Sequence, residues 1–273
     1  MKGYLPVLVV IKGAGDLASG IALRLFHAGF EIVMTEIAAP LSVRRTVCFS
    51  QAVYDGRCCV EDVYGQLAGN EAEMREIMGD RRIPVLVDPG AAVVKKFRPP
   101  VLVDAIMAKR NTGTALSDAP LVIAVGPGFT AGIDCHAVIE TQRGHSLGRV
   151  ITAGSALPNT GVPGEIGGYT VERLLRSPVD GVFEALASIG DKVKKGDTVA
   201  FVRGAHAERD KIPMEAGIDG IVRGLLPSGI KATKGMKAGD IDPRCERSHC
   251  FTVSDKALAI GGGVLEAILR FSA

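Results

Sequence analysis

An uninterrupted apolar run, Val7 to Ile11, stands near the start of the chain, rich in β-branched side chains and without polar alternation. That pattern predicts a strand buried on both faces, as in the middle of a parallel sheet. Gly13-Ala14-Gly15-Asp16-Leu17-Ala18-Ser19-Gly20 follows at once, and Ile21, Leu23, Leu25 and Phe26 then give the apolar face of a helix ending near Gly29. Further apolar runs end in polar or glycine-bearing loops. These are Glu31–Thr35 before Glu36, Val85–Val87 before Asp88, Val101–Val103 before Asp104, and Leu121–Val125 before Gly126-Pro127-Gly128-Phe129-Thr130. In an open parallel sheet the carboxyl ends of the strands share one edge, so these loops are expected to converge on a single crevice.

After Asp134 the pattern changes. Apolar residues alternate up to Thr141, Arg143-Gly144-His145 reads as a turn, and Arg149-Val150-Ile151 resumes an extended strand, which predicts a hairpin. Ala156 to Glu165 is a polar stretch with prolines and glycines, suited to wrapping a ligand or joining domains. Beyond it the chain repeats itself at an offset of 39 residues: Asp180-Gly181-Val182 returns as Asp219-Gly220-Ile221, Lys192 as Lys231, and Lys195-Gly196 as Lys234-Gly235. Two copies of strand, glycine turn, strand suit an interlocked pair of small sheets. This module resembles the barrel-sandwich hybrid of biotinyl and lipoyl domains. Its hairpin, Arg203 to Glu215, lacks the Met-Lys-Met of those domains, so a swinging-arm role for Lys211 is disfavoured and a lid or docking surface is expected. A last helix is expected from about Ser254, carrying Gly261-Gly262-Gly263, which implies close packing against backbone or a break between two helices.

The expected fold class is therefore α/β. A Rossmann-like parallel-sheet domain over residues 1–172 is followed by a small all-β barrel-sandwich module over 173–243 and a tail with a C-terminal helix over 244–273. With 47% hydrophobic residues, 34 glycines and no tryptophan, the composition fits a folded chain with many tight turns. A formal net charge of +2 provides no field for nucleic acid or a membrane surface, so anion binding must be local. The first apolar run, taken from Leu5, is too short to span a bilayer and enters a glycine loop directly, which points to the cytoplasm. Six cysteines without a close CxxC pair read mostly as buried thiols. A zinc site at Cys245, His249 and Cys250, or a metal at Asp134, His136 and Glu140, is the weaker reading in each case, and no metal is assigned.

Candidate binding chemistry gathers at the loops. Gly13 and Gly15 allow close approach of backbone to a phosphate at a helix start, although the spacing to Gly20 is GxGxxxxG and Asp16 would repel an anion unless it turns away. Glu36 stands 21 residues beyond Gly15, where a ribose-binding acid would be expected. Arg44 and Arg45 suit a phosphate or a pterin-type anion. Asp104, Lys109, Asn111 and Thr114 offer a carboxylate, an ammonium and two neutral hydrogen-bonding groups, while Gly126 and Gly128 frame a rigid turn leading to Thr130. Arg143 and His145 stand at the hairpin turn, and Asn159 and Thr160 in the polar stretch.

Taken in order, Lys12–Gly20, Arg44-Arg45-Thr46, Asp104–Thr114, Gly126–Gly132, Glu140–Val150, Pro158–Gly168, Gly239–Arg244 and Ser254–Leu269 resemble the YqeB proteins associated with selenium-dependent molybdenum hydroxylases. The resemblance implies an accessory role in making, modifying or inserting the molybdenum cofactor, with delivery of selenium or sulfur to the metal as one form of it. It further implies a molybdopterin-type cofactor or nucleotide as ligand and the hydroxylase as partner. Gly13, Gly15, Gly126 and Gly128 would then approach phosphate, Arg44, Arg45 and Arg143 would neutralise charge, and Asp104, Lys109 and Asn159 would orient the ligand. Cysteine chemistry stays open at Cys48 and Cys135. The same glycine turn, Glu36 and arginines would also suit an NAD(P)-linked oxidoreductase or a nucleotide-dependent transferase, and a non-catalytic docking scaffold is a third reading. Catalytic residues are not assigned, and homo-oligomerisation is left open.

Overall fold

The computed structural model describes residues 7–204 and 211–272, so the centre of the expected hairpin at 205–210 and the residues before Val7 lie outside the described residues. By its contacts the chain forms two units. The first comprises Met1–Pro40, Cys48–Thr160 and Val253–Ala273, and the second Leu41–Val47 and Gly161–Thr252.

In the first unit, β1 (Leu8–Lys12) leads through the glycine turn into α1 (Asp16–His27) and β2 (Glu31–Glu36). Helix α1 stops where Gly29 takes a left-handed φ of 93° and the Phe30 amide returns to the Leu25 carbonyl, the glycine-terminated ending the sequence implied. There follow α2 (Ala52–Asp55), β3 (Arg57–Val60), β4 (Val63–Leu67), α3 (Glu71–Gly79), β5 (Ile83–Val87), α4 (Ala92–Phe97), β6 (Val101–Asp104), β7 (Leu121–Val125), β8 (Ala137–Ile139) and β9 (Val150–Ile151). These strands form one nine-stranded sheet in the order β3-β4-β5-β2-β1-β6-β7-β8-β9. From β4 through β8 every neighbouring pair is parallel, whereas β3 on β4 and β9 on β8 are antiparallel.

That arrangement corrects the expected fold class. The sheet is mixed rather than a Rossmann-like parallel sheet, because each edge is closed by chain reversal. At one edge Glu61, in the left-handed region, and Asp62 connect Val60 to its cross-strand partner Val63. At the other, Val138 and Ile139 pair with Ile151 and Val150, so the hairpin read between Asp134 and Ile151 supplies the antiparallel strand.

Side chains alternate across this sheet. Val10, Leu102, Val122 and Val138 join Met74 and Ile77 of α3 and Val93 and Val94 of α4 in one buried cluster. The last helix, α5 (Asp255–Ser272), packs beside α1 and against β7 and β8, and approaches Ile139, which points away from that cluster. Each large aliphatic side chain so buried contributes about 1.5–3 kcal/mol.

The second unit holds β10 (Leu174–Arg176), β11 (Gly181–Ala185), β12 (Lys192–Val193), β13 (Thr198–Gly204), β14 (Lys211–Glu215), β15 (Gly220–Leu225), β16 (Lys231–Ala232) and β17 (Lys237–Asp242). They form two four-stranded antiparallel sheets, ordered β10-β17-β15-β12 and β14-β13-β11-β16, around one apolar core that includes Phe183, Val199, Val202, Val222, Leu225 and Ile241. The expected biotinyl-type barrel is thus also corrected: the pair of small sheets that the repeat implied is present, but each is extended, one by β10 and the other by β14, with a strand from outside the repeat.

The repeat itself is structural. Short β12 of the first copy pairs with β15 of the second, and β16 of the second with β11 of the first. The Lys195 amide donates to Asp219 Oδ1 at 2.8 Å, and the Lys234 amide donates to Asp180 Oδ1 at 2.6 Å, so the aspartate of each copy holds the Lys-Gly turn of the other.

Candidate functional site

In the first unit the chain leaves β5 on one side of β1 and re-enters the sheet as β6 on the other, so β1 and β6 mark the point where strand order reverses. In an open α/β sheet this is the usual ligand position; here the loops after the two strands pack on each other at Gly13 and Ala105–Ile106. Gly13 lies in the loop after β1 with a φ of 92°, and its amide donates to the Thr35 carbonyl at 2.9 Å. A side chain built there would lie 3.0 Å from the Ala105 carbonyl oxygen and 3.1 Å from the Ile106 Cα, so this glycine is required by its conformation and by close approach of the neighbouring loop. Gly15 differs. As the N-cap of α1 it has φ −74° and ψ −170°, a conformation open to any residue, and no side chain caps the helix from that position.

The polar residues of the β6 connection are used within the protein. Asp104 is 1% exposed, and its Oδ2 lies 3.4 Å from the Lys12 ammonium. The Thr114 hydroxyl bridges the pair, accepting from Lys12 Nζ and donating to Asp104 Oδ2, both at 2.5 Å. Asp104 Oδ1 also accepts from the Ile106 amide. Asn111 accepts from the Gly113 and Thr114 amides and donates to the Thr114 carbonyl and Asp134, while the Thr130 amide donates to the other Asp134 oxygen. Met107 and Lys109 both adopt left-handed backbone, so this loop is tightly folded. Asp104, Asn111 and Thr114 thus rigidify the loop after β6. Lys12, which the sequence reading did not assign, completes the buried group; its signal is a lysine closing an otherwise apolar buried strand.

The two glycine turns do come to one region, with the Ala105–Arg110 loop packed between them. Side chains at Gly126 and Gly128 would meet Met107 and Thr141, and the Arg110 backbone, respectively. Glu36, placed from its spacing as a ribose-binding acid, instead accepts from the Ala14 amide at 3.0 Å and from the Ile37 amide at 2.8 Å. One amide of the glycine turn is therefore already held by a carboxylate. Gly20 sits inside α1, where the position of a Cβ would be 2.6 Å from the Ala257 Cβ of α5; helix packing accounts for it.

Other assigned residues have partners of their own or lie elsewhere. Arg143 pairs with both carboxylate oxygens of Asp255 at 2.8 and 3.0 Å. His145 is exposed and lines a shallow surface depression with Glu266 and Arg270. Asn159 and Thr160 are exposed residues at the end of the first unit's central segment. Arg44 and Arg45 belong to the second unit, where Arg44 is buried and donates to the His249 and Thr252 carbonyls, both at 2.9 Å, and Arg45 donates to the Leu225 carbonyl. Their geometry ties the 41–47 segment to that unit.

Of the six cysteines, Cys48, Cys135 and Cys250 are buried, Cys58 is half-buried, and Cys59 and Cys245 are exposed. Burial, reinforced by Asp134, pushes the Cys135 thiol up to about 11, which opposes thiolate chemistry there. Among the described residues no group of three or more His, Cys, Asp or Glu side chains is placed to hold a metal ion.

Compared with known proteins, the chain is 52% identical over 262 residues to YqeB of Escherichia coli (strain K12), described as an uncharacterized protein, and the match takes in 96% of this chain. That likeness places the chain with YqeB. The chain spans about half the length of this relative, 47%. No family model matches. Solved structures with some likeness include an aspartoacylase family protein from Mesorhizobium loti, 13% identical with a TM-score of 0.29 over 88% of this chain and 85% of the other. A succinylglutamate desuccinylase/aspartoacylase from Rhodobacter sphaeroides is 14% identical with a TM-score of 0.29 over 86% and 85%. The ectoine utilization protein EutE (DoeB) from Ruegeria pomeroyi is 13% identical with a TM-score of 0.24 over 78% and 58%. At such TM-scores these likenesses define neither fold nor activity for the YqeB relative.

Proposed function

We propose that this YqeB relative binds a small phosphate-containing ligand, a nucleotide or a pterin, at the carboxyl edge of its nine-stranded sheet. We further propose that it does so as an accessory factor in maturation of a molybdenum hydroxylase. The second part rests on the sequence resemblance alone. The first is carried by one observation: α1 begins at the point of strand-order reversal, behind Gly15, an N-cap with no side chain over the first amides of the helix. A helix start in that position presents amide donors and a favourable dipole to an anion. The rigid Lys12–Asp104–Thr114 group beside it suits binding, because a wall fixed in advance loses little freedom when a ligand arrives. A redox dinucleotide is less well served, since both Glu36 oxygens already accept backbone amides before any ribose is present.

Native mass spectrometry of the purified protein, with metal and selenium analysis, tests this reading. A co-purifying nucleotide or pterin is expected. Gly15→Val is expected to remove it while lowering stability by no more than about 1 kcal/mol, because valine is allowed at that φ and ψ and is only a poorer N-cap. Ligand retention by Gly15→Val would place binding elsewhere.

A further inference from the structure

The site proposed above lies at the carboxyl edge of the nine-stranded sheet. At the opposite, amino edge a half-enclosed pocket of about 110 Å³ lies between the end of α1, the start of β2 and the end of α3. Its apolar lining comes from Phe26, Phe30 and Met78, each half-buried, and its charged lining from Glu31, Arg81 and Arg82. Arg82 is committed, paired with Asp80 and donating to Gln66. Arg81 and Glu31 are not: among the described residues neither side chain has a hydrogen bond or an ion pair, and they are not paired with each other.

Both uncommitted groups are placed at the pocket. The Arg81 guanidinium stands over the Phe26 ring, 5.7 Å from its centroid. Glu31 is the register partner of Leu8 and stands two residues before Val33; both of these pack in the cluster with Met74 and Ile77 of α3, so Glu31 projects to the same side of the sheet as Met78. The backbone at Arg81 adds a second indication. Helix α1 ends on Gly29, for which a φ of 93° is free of strain, whereas α3 ends on Arg81 at a φ of 55°, with the Arg81 amide returning to Met78 and the Arg82 amide to Ile77. Glycine is preferred at such a helix end, and an L side chain is strained there. The chain thus keeps a guanidinium at this rim against the preference of its own backbone.

We propose that this pocket binds the zwitterion of a small apolar amino acid, with its carboxylate on Arg81, its ammonium on Glu31 and its side chain on Phe26, Phe30 and Met78. A guanidinium suits a carboxylate through its planar set of donors. The ammonium is favoured by Glu31 and by the partial negative charge where α1 and α3 both end. A simple anion or cation would leave one of the two side chains unmatched. The volume is well below the roughly 300–1,000 Å³ of sites for drug-sized ligands, which limits the ligand's side chain to a few carbons. This site is separate from the carboxyl edge and does not depend on the function proposed there.

A ligand-observed NMR titration of the whole protein tests the proposal, with L-valine as probe. Two further probes each keep one of its charges: 3-methylbutanoate the carboxylate and 2-methylpropylamine the ammonium. L-Valine should bind, and each one-charge probe should bind about tenfold more weakly or worse. Arg81→Gly should weaken L-valine binding by about tenfold or more while keeping the melting temperature near the wild-type value, because glycine relieves the left-handed position. Glu31→Gln should weaken it by a similar factor. Failure of the wild type to bind L-valine, or wild-type affinity in either folded variant, would overturn the proposal. Equal affinity for L-valine and 3-methylbutanoate would overturn it as well, since Glu31 would then have no part in recognition.

Discussion

At the residue scale, Lys12, Asp104 and Thr114 form the most constrained polar group of the first unit. The two charges are 8% and 2% exposed at their side chains, and a single hydroxyl joins them. Breaking such a pair leaves one charge buried and uncompensated, which costs far more than the intact pair contributes. Lys12→Met is therefore expected to lower stability by about 3–5 kcal/mol, measured by urea denaturation. Lys12→Met combined with Asp104→Asn should lose less, since neither member is then left as an isolated charge. Asp104 and Thr114 were legible in the sequence as polar residues at a strand end. Their use was not, because their partner Lys12 is 102 residues from Thr114 and a lysine at a strand end is ordinarily read as solvated. Glu36 carries the same lesson: its spacing predicted a ribose contact, and the folded chain uses it to hold the glycine turn.

At the scale of elements, α5 shows how one composition serves opposite ends at successive positions. Gly261-Gly262-Gly263 do not break the helix, which runs unbroken from Asp255 to Ser272, and Ser254 caps its start through the Ala257 amide. Gly261 faces α1. Gly263 lies so close to the Gly148 carbonyl that a methyl group would collide with backbone, and Gly262 faces open space. Helix propensity favours alanine over glycine, so Gly262→Ala should stabilise the protein by up to about 1 kcal/mol. Gly263→Ala should destabilise it by about 1–3 kcal/mol, because the obstructing atom is backbone and cannot swing aside. Calorimetry on the two variants checks both signs; a stabilising Gly263→Ala would contradict the packing described. The repeat in the second unit was legible at this scale because its turns carry the same residues in both copies. The reciprocal capping by Asp180 and Asp219 needed the fold, since each aspartate serves the other copy.

At the scale of the whole molecule, the two units are differently assembled from the chain. The first takes strands from the N-terminal part and a helix from the C-terminal end, so Ala257, Ile260 and Val264 complete a core whose sheet was laid down more than a hundred residues earlier. The second unit has its own dependence on pH. Asp242 is fully buried, and burial alone would raise its pKa, but hydrogen bonds from the Arg244 amide and guanidinium, with the charges of Arg244 and Arg223, outweigh that and hold the carboxyl below its ordinary range. A lowered folded-state value means stabilisation that is complete above the pKa of the unfolded chain and lost as pH falls through the folded value. Thermal melts taken from neutral pH down through the carboxylate range should show this loss, and Asp242→Asn should be less stable at neutral pH with a flatter acid limb. An unchanged acid limb would mean that other carboxylates dominate.

The sequence by itself determined the central buried strands, the glycine turn into α1, the end of that helix at Gly29, the reversal near Gly144 and the repeat. Each of these depends on neighbours within a few residues or on a periodicity that sequence preserves. Only the tertiary structure decided that the sheet would be closed by antiparallel edges, that the small module would take β10 and β14 from outside the repeat, and that Glu36, Asp104, Asn111 and Thr114 would bond to the protein itself. Those outcomes depend on which strand edges and charged groups meet across long separations, where burial makes an unpaired polar group too costly to leave unmatched.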